Sequence, residues 1–225
     1  MRREQSFDHL AEQYDRLGEL TEDVVADWLA TVLPERRRRA VDLGCGAGRH
    51  AVILADYFDQ VDAIDLSAPM IRLARRKRPR SNISYLEAGI LDAGGQYDFV
   101  TSSATLHHVT DLPAVLRHIK TLVAVSGRAA LVDTVSARPA NPRWRLYGNE
   151  VRKLAQNLVR RNAAQAWEIF RLSTGDWLDH RVSDRYLSRA EFDQVYGAVF
   201  PGGTLTPVGR AQAVIWDRSD LTGLI

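Results

Sequence analysis

Three closely spaced glycines stand directly after the first short apolar segment of the chain. Residues 40–43 read Ala-Val-Asp-Leu, and residues 44–48 read Gly-Cys-Gly-Ala-Gly before a helical pattern begins. Glycine has no Cβ atom, so such a loop can turn tightly and let a ligand approach the main chain. The alternative is an ordinary strand-to-helix turn. We interpret the segment as a ligand-binding loop that uses Gly44, Cys45, Gly46 and Gly48.

The spacing of these glycines differs from that of pyrophosphate-binding loops. Those loops read G-x-G-x-x-G, but the position of the third glycine is occupied here by Arg49. A carboxylate, Asp42, also stands two residues before Gly44. It would repel a pyrophosphate and would favour a ligand that carries an ammonium or sulfonium group. The pattern therefore disfavours a dinucleotide-dependent dehydrogenase.

A second acid lies where a nucleoside sugar would be recognised. Asp65 ends the apolar segment at residues 61–65, 21 residues after Gly44. A carboxylate at about this distance can accept hydrogen bonds from both hydroxyls of a ribose. An acid that favours the following helix through its dipole is the alternative. Together with the glycine loop, Asp65 predicts a site for a nucleoside with a positively charged tail.

Two histidines in the second half of the chain are candidate general bases. His107 follows the predicted fourth strand, and His180 lies near the end of a helical segment, beside Trp177. Imidazole is suited to accept a proton near neutral pH. A capping or packing role is the alternative for each. We predict His107 and His180 as catalytic residues and Trp177 as a wall of the acceptor pocket.

Composition predicts a globular protein. The 225 residues include 30 Lys and Arg against 28 Asp and Glu, and 45% are hydrophobic. The first residues lack the apolar run of a secretory signal, and no stretch approaches the roughly 20 apolar residues that span a bilayer. The single cysteine, Cys45, excludes an internal disulfide. We expect a soluble, cytoplasmic protein without a membrane partner.

Nucleic acids and metals are also disfavoured. Arginine-rich runs at residues 36–39, 72–80 and 152–161 lie among acids and are typical of solvated faces, whereas nucleic-acid binding needs a continuous cationic face. After the fourth predicted strand, Ser103 and Thr105 stand where clustered acids would hold Mg²⁺. We expect neither nucleic acid nor a metal at the site.

The order of elements predicts one α/β domain over residues 1–225. Short apolar segments alternate with helical patterns through the first 135 residues, which indicates a parallel sheet. Residues 139–183 predict a helical insertion, which could form a lid over an acceptor pocket. Ser188 and Glu191 predict a capped helix over residues 188–199, and residues 203–217 predict a closing hairpin.

These segments resemble a known family. Residues 41–48 (VDLGCGAG) and 63–70 (AIDLSAPM) are similar to the first and second motifs of class I S-adenosylmethionine-dependent methyltransferases. Residues 7–15 look like the leading helix of their small-molecule branch, which includes quinone-biosynthesis methyltransferases. Residues 97–100 with 106–109 resemble the segment that ends the fourth strand.

The resemblance implies a fold and a set of cofactor contacts. The fold would be a Rossmann-like, seven-stranded, mostly parallel sheet with helices on both faces and its last strand antiparallel. Asp42 and the glycine loop would hold the methionine part of S-adenosylmethionine, and Asp65 its ribose. The family's Gly-Asp-Ala sequence after the third strand is replaced by Glu-Ala-Gly-Ile-Leu-Asp at residues 87–92. The other expected cofactor contacts are Tyr14, Leu66, Met70, Gly89, Ile90 and Ser102.

The resemblance also implies a reaction. Direct displacement would move the sulfonium methyl group to oxygen or carbon of a secondary metabolite or quinone-like ring, with S-adenosylhomocysteine as product. A cyclase or a module that binds the cofactor without methyl transfer is the alternative on the same fold. RNA or protein methylation is less supported, because the chain carries no Asn-Pro-Pro-Tyr signature and no appended RNA-binding module. The sequence leaves monomer and homodimer open.

Overall fold

A computed structural model describes residues 10–137 and 142–218 as a twisted sheet covered by helices. The sheet has seven strands in the order β3-β2-β1-β4-β5-β7-β6. Strands β1 to β5 are parallel, and β7 runs antiparallel to both of its neighbours. The strands are β1 (Arg39–Leu43), β2 (Gln60–Asp65), β3 (Ile83–Glu87), β4 (Tyr97–Ser103), β5 (Val123–Thr134), β6 (Thr204–Val208) and β7 (Ala211–Asp217). The predicted Rossmann-like fold is confirmed.

Helices cover both faces of this sheet. Val41 of β1 packs into a core with residues such as Phe192, while the neighbouring Ala40 packs into the opposite core with Leu54. Successive strand residues point to opposite faces, so a strand buried on both sides needs apolar residues throughout. The helices are α1 (Ala11–Leu20), α2 (Val24–Thr31), α3 (Arg49–Ala55), α4 (Ala68–Lys77), α5 (Leu112–Leu122), α6 (Arg143–Arg160), α7 (Ala163–Ser173), α8 (Asp176–Ser183) and α9 (Arg189–Val199).

The sheet order creates a crevice at the carboxyl ends of β1 and β4. The chain leaves β1 towards β2 on one side and later returns to β4 on the other, and such a switch point is where α/β sheets bind ligands. The backbone N–H groups of Gly44 and Cys45 donate to the Ile64 carbonyl at 2.7 and 3.0 Å. These bonds fix the glycine loop beside the end of β2.

Local signals in the sequence account for two helix starts. The Ser67 hydroxyl accepts a hydrogen bond from the Met70 backbone at the start of α4. Ser188 and Glu191 form the predicted capping box at the start of α9, with bonds of 3.2 and 2.8 Å. Each bond satisfies a backbone N–H group that the first helical turn leaves unpaired.

The described part of the predicted insertion consists of α6, α7 and α8. Helix α7 contacts α1, where the Gln13 side chain donates to the Leu172 carbonyl at 2.7 Å. Helix α6 packs on α8, where the Glu150 carboxylate accepts from Arg181 at 2.8 Å. Residues 139–141 of the insertion and residues 7–9 of the leading-helix motif lie outside the described residues. Trp144, Tyr147 and Trp167 are exposed, so these three face outward and do not line a cavity.

Arginines of the first two basic runs pair with acids. Arg36 lies 3.1 Å from the buried carboxylate of Asp98, and Arg78 lies 2.8 Å from that of Asp15. Such pairs neutralise part of the positive charge of the runs. Among the described residues, no helix combines the length and the apolar character needed to cross a bilayer.

Candidate active site

The three glycines of the loop have different structural tasks. All three have positive φ angles, at 75°, 53° and 81° for Gly44, Gly46 and Gly48. A Cβ atom on Gly44 would lie 2.2 Å from the Thr105 side chain, and one on Gly48 would lie 2.7 Å from the Tyr85 ring. Within residues 10–137 and 142–218, no atom would lie within 4 Å of a Cβ atom on Gly46. Gly44 and Gly48 are therefore required by packing, whereas Gly46 borders open space where a ligand can approach the backbone.

Asp65 holds the loop in this shape. Its Oδ2 atom accepts a hydrogen bond from the Gly46 backbone at 2.8 Å, and its Oδ1 atom accepts one from the Ser67 backbone at 2.8 Å. A carboxylate at the end of β2 is the type of acceptor that the hydroxyls of a sugar require. The predicted ribose acid and the predicted glycine loop are thus brought together.

Asp42 is a buried carboxylate below the loop. Only 1% of the residue is exposed, and its Oδ2 atom has no hydrogen-bond partner among the described residues. Burial, helped by the charge of Asp65 and opposed by His50 and a backbone bond from Ala51, raises the pKa of Asp42 to about 6. A buried carboxylate oxygen of this kind suits a cationic group on a ligand.

The raised pKa makes the stability of the ligand-free chain depend on pH. An unfolded aspartate titrates near pH 3.9, so between about pH 4 and 6 only the folded Asp42 retains its proton, and its contribution to stability falls as the pH rises. We expect Asp42→Asn to raise the free energy of unfolding by about 2–3 kcal/mol at pH 8 and to change it little at pH 4. Urea unfolding at both pH values measures this. An equal effect at pH 4 and pH 8 would contradict it, and exposed Asp59→Asn is the control.

Cys45 contributes its backbone to the loop. Its side chain is buried, and burial raises the pKa of the thiol well above its ordinary value. A neutral, buried thiol is neither a metal ligand nor a nucleophile. The prediction that Cys45 contacts the cofactor therefore concerns its main chain, which lies between Gly44 and Gly46, and not its thiol.

Tyr14 and Arg49 lie at the other end of the loop. Burial raises the pKa of the Tyr14 hydroxyl, against the opposing charge of Arg49. Arg49 bonds Asp23 at 2.6 Å and crosses α1 where Gly18 leaves room for it, since a Cβ atom there would lie 1.8 Å from the guanidinium. A cation beside a tyrosine suits the carboxylate of an amino-acid tail. In the sequence, Arg49 was noted only because it occupies the position of the third glycine of a pyrophosphate-binding loop, and it was not predicted to contact a ligand.

The side predicted to meet adenine is partly open. Leu66 is 55% exposed, whereas Met70 is 3% exposed and packs with Ala47. The displaced acid of residues 87–92 is Asp92, whose carboxylate accepts a bond from the Gly89 backbone at 3.0 Å. Ile90 begins a short 3-10 turn there. Leu66 therefore offers free apolar surface, and Asp92 shapes the loop that carries Gly89 and Ile90.

Ser102 corrects one sequence prediction. The residue is 0% exposed, and its hydroxyl donates to the Leu43 carbonyl at 2.7 Å. It therefore has no surface with which to contact a cofactor, and it instead joins the ends of β1 and β4. The position of Ser102 near the end of β4 suggested a contact with the ligand. Its side chain instead points into the protein, and this could be seen only once β1 was in place beside β4.

His107 forms a buried dyad with Asp133. Its Nδ1 atom lies 2.6 Å from the Asp133 carboxylate at the end of β5. Burial lowers the pKa of His107, but the hydrogen bond and charge of Asp133 outweigh it, so the pKa lies above its ordinary value. A carboxylate on Nδ1 fixes the tautomer that leaves the Nε2 lone pair available. This is the arrangement of an oriented general base.

His180 lies in the same cluster, 73 positions further along the chain. Its ring stacks on Trp177 at 5.2 Å and lies 5.6 Å from His108. Trp177 in turn lies 5.1 Å from Tyr14. A row of aromatic rings thus leads from the cofactor side to the dyad: Tyr14, Trp177, His180, His108 and His107.

Asp184 and Tyr186 complete this cluster and were missed in the sequence. The Tyr186 hydroxyl donates to the buried Asp184 carboxylate at 2.5 Å. The other Asp184 oxygen lies 3.6 Å from His180 Nε2 and 3.9 Å from His108 Nδ1. Burial and the neighbouring imidazoles lower the pKa of His108 to about 3. Donor atoms of His107, His108 and Asp184 lie within 4.8 Å of one another, so the prediction that no metal is used needs a direct test.

This sheet order, with a glycine loop after β1 and an acid at the end of β2, defines the nucleoside-binding class of Rossmann-like enzymes. A family model described as a methyltransferase domain matches residues 14–192, and the chain belongs to that family. The structure of the DhpI–SAH complex superposes with a TM-score of 0.62 at 22% identity, over 93% of this chain and 91% of the other.

Curated relatives carry methyltransferase names. An uncharacterized methyltransferase of Mycobacterium tuberculosis (strain H37Rv) is 33% identical over 121 residues, which are 52% of this chain and 61% of the relative. A 2-phytyl-1,4-naphtoquinone methyltransferase of Nostoc sp. is 28% identical over 159 residues, 63% of this chain and 67% of the relative. The chain thus spans about 61% of the length of the first of these relatives.

Proposed function

We propose that this chain binds S-adenosylmethionine at the carboxyl ends of β1 and β2 and methylates oxygen or carbon of a small, apolar acceptor such as a quinone-like ring. The observation that carries the proposal is the hydrogen bond of Gly46 to Asp65, next to the buried Asp42, whose Oδ2 atom has no hydrogen-bond partner in the described part of the chain. The bound cofactor would supply a methyl group on a sulfonium sulfur. Once the methyl group is transferred, the sulfur is a neutral thioether and the product is S-adenosylhomocysteine.

The residues at the sheet edge fit the parts of this cofactor. The Asp65 carboxylate would accept hydrogen bonds from the ribose hydroxyls, and the open side of Gly46 lets the tail lie against the backbone. Asp42 supplies negative charge for the ammonium group of the tail. Arg49 and Tyr14 are placed for the tail carboxylate. Leu66 offers apolar surface to the adenine.

We assign His107 the task of general base and His180 a place beside the acceptor. With Nδ1 held by Asp133, the Nε2 atom of His107 can take the proton of an acceptor hydroxyl as its oxygen gains the methyl group. The resulting imidazolium is stabilised by the Asp133 carboxylate. The rings of His180 and Trp177 form a flat wall suited to an aromatic acceptor.

The acceptor class follows from this lining and from a relative. The ring row contains aromatic and imidazole groups, and the Nostoc relative is named for a phytyl-substituted naphthoquinone. We therefore place the acceptor among hydroxylated or reduced quinone-like rings. Helices α6, α7 and α8 would act as the lid that excludes water, and the cytoplasm is the proposed location.

The test is release of S-adenosylhomocysteine from S-adenosylmethionine in the presence of a panel of quinols and phenols. We expect turnover with at least one ring acceptor, and we expect it to persist after dialysis against EDTA. Cofactor binding with no release for any ring, peptide or RNA acceptor would favour a non-methylating binding module. Loss of turnover with EDTA and recovery with a divalent cation would overturn the metal-free chemistry.

A further inference from the structure

The outer face of α6 exposes a row of large apolar side chains. Residues three, four or seven positions apart lie on one side of a helix, and Trp144, Tyr147, Val151 and Leu158 follow this spacing, with Val159 at the edge of the same face. Large apolar side chains are normally buried, and a contiguous exposed group marks an interaction surface. The α6 stripe consists of Trp144 (71% exposed), Tyr147 (48%), Val151 (46%), Leu158 (50%) and Val159 (87%).

The stripe is separate from the face by which α6 joins the fold. That inner face carries Leu146 and Glu150, which are 4% and 2% exposed. Glu150 accepts hydrogen bonds from Lys153 and Arg181, both at 2.8 Å. The helix is therefore already anchored, and its apolar outer side chains are not needed for the core of this chain.

Helix α7 extends the surface. Trp167 is 58% exposed, and its ring lies 5.5 Å from Phe170, which in turn lies 5.9 Å from Tyr147 of the stripe. The apolar surface therefore continues from one helix to the next. Two tryptophans and a tyrosine in such a patch are the residue types that favour the boundary between a bilayer and water.

A row of arginines runs beside the stripe. Arg145, Arg152 and Arg160 are seven and eight positions apart, two helical turns, and so share one side of α6. The acid of α6, Glu150, is buried on the inner face and already paired. The exposed part of α6 thus combines apolar and cationic side chains without an exposed acid, which is the composition of a helix that lies in the surface of an anionic bilayer.

We propose that the α6 stripe and its arginine row bind the surface of anionic phospholipid membranes. A second copy of the chain is a poorer fit, because its own α6 face exposes no acid that could pair with the arginine row. The sequence predicted no membrane partner from the lack of a spanning segment. Surface binding needs no such segment, and the proposal revises that prediction.

The position of the surface gives it a role in the proposed function, on which this part of the inference rests. Arg181 of α8 bonds Glu150 of α6, and the same α8 carries Trp177 and His180 at the proposed acceptor site. The outer side of the layer formed by α6 and α8 would therefore touch the bilayer, and its inner side borders the proposed acceptor site. An apolar acceptor dissolved in the bilayer would then reach the ring row from the membrane.

Vesicle co-sedimentation tests the proposal. We expect the full chain to bind phosphatidylcholine vesicles that contain phosphatidylglycerol at least tenfold more tightly than vesicles of phosphatidylcholine alone. The double variants Trp144→Ser/Leu158→Ser and Arg152→Glu/Arg160→Glu should each weaken this binding at least tenfold. The matched controls are Val125→Ser, at an exposed apolar side chain of β5, and Arg72→Glu, at an exposed arginine of α4.

Several results would overturn it. They are absence of binding to the anionic vesicles, retention of binding by both double variants, or equal loss in the controls. A dimer in light scattering that the stripe variant converts to a monomer, without any vesicle binding, would assign the surface to a second copy. Binding of S-adenosylhomocysteine by every variant shows that the fold is intact. Turnover with a water-soluble acceptor in the absence of vesicles tests the proposed function independently.

Discussion

Asp65→Ala is expected to weaken binding of S-adenosylhomocysteine at least about 100-fold. The carboxylate would accept bonds from the ribose hydroxyls, and each hydrogen bond to a charged group contributes about 1.5–3 kcal/mol. The same substitution removes the acceptor of the Gly46 and Ser67 backbone bonds, so the loop also loses its support. Isothermal titration calorimetry with S-adenosylhomocysteine measures the effect.

The control and a companion variant make this result specific. Asp59→Ala removes an exposed acid just before the opposite end of β2 and should bind like the parent chain. Gly46→Val should lose binding as well, because its side chain would fill the open space beside the loop and would strain a backbone with φ of 53°. Parent-like affinity of Asp65→Ala would disprove the assigned cofactor site.

His107→Asn is expected to lower turnover about 100- to 10,000-fold, the usual contribution of a general base, while affinity for S-adenosylhomocysteine stays unchanged. In the proposed site, the His107 side chain lies on the acceptor side, whereas the cofactor contacts lie on the loop and at Asp65. Steady-state release of S-adenosylhomocysteine, together with calorimetry, separates the two effects. His118→Asn, at a histidine that bonds the Ala93 carbonyl, is the control.

The contact between Asp133 and His107 predicts how turnover depends on pH. A base acts when it is unprotonated, so kcat/KM should rise with pH through the pKa of His107. Asp133 raises that pKa, and Asp133→Asn should therefore move the acid limb to lower pH while the plateau falls, because the imidazole tautomer is no longer fixed. An acid limb that stays in place would show that another group is the base.

Local sequence was sufficient to predict that the residues of the proposed cofactor site lie together. The glycine loop, Asp42 and Asp65 all lie within a few residues of the ends of β1 and β2, which are consecutive parallel strands. In such a unit the chain order fixes which ends are adjacent, so residue types and spacing alone place these groups together. The family resemblance rests on the same short segments.

The acceptor half required distant segments to meet. His107 follows β4, and Asp133 lies near the end of the neighbouring strand β5. His180, Asp184 and Tyr186 come from the end of the helical insertion and the segment after it. The spacing of these residues along the sequence follows no helical or strand period, so it does not predict that they contact one another. The two histidines could be nominated by type, but the acid beside each one could not.

Helix faces show the same division. The sequence predicted a mainly helical segment over residues 139–183, a helix that Ser188 begins and a closing hairpin, because propensity, capping and hydrophobic pattern act within a few residues. It did not determine which way Trp144, Tyr147 and Trp167 face, or that Ser102 is sealed between strands. Those outcomes depend on which neighbours cover each side chain, and only tertiary packing supplies the neighbours.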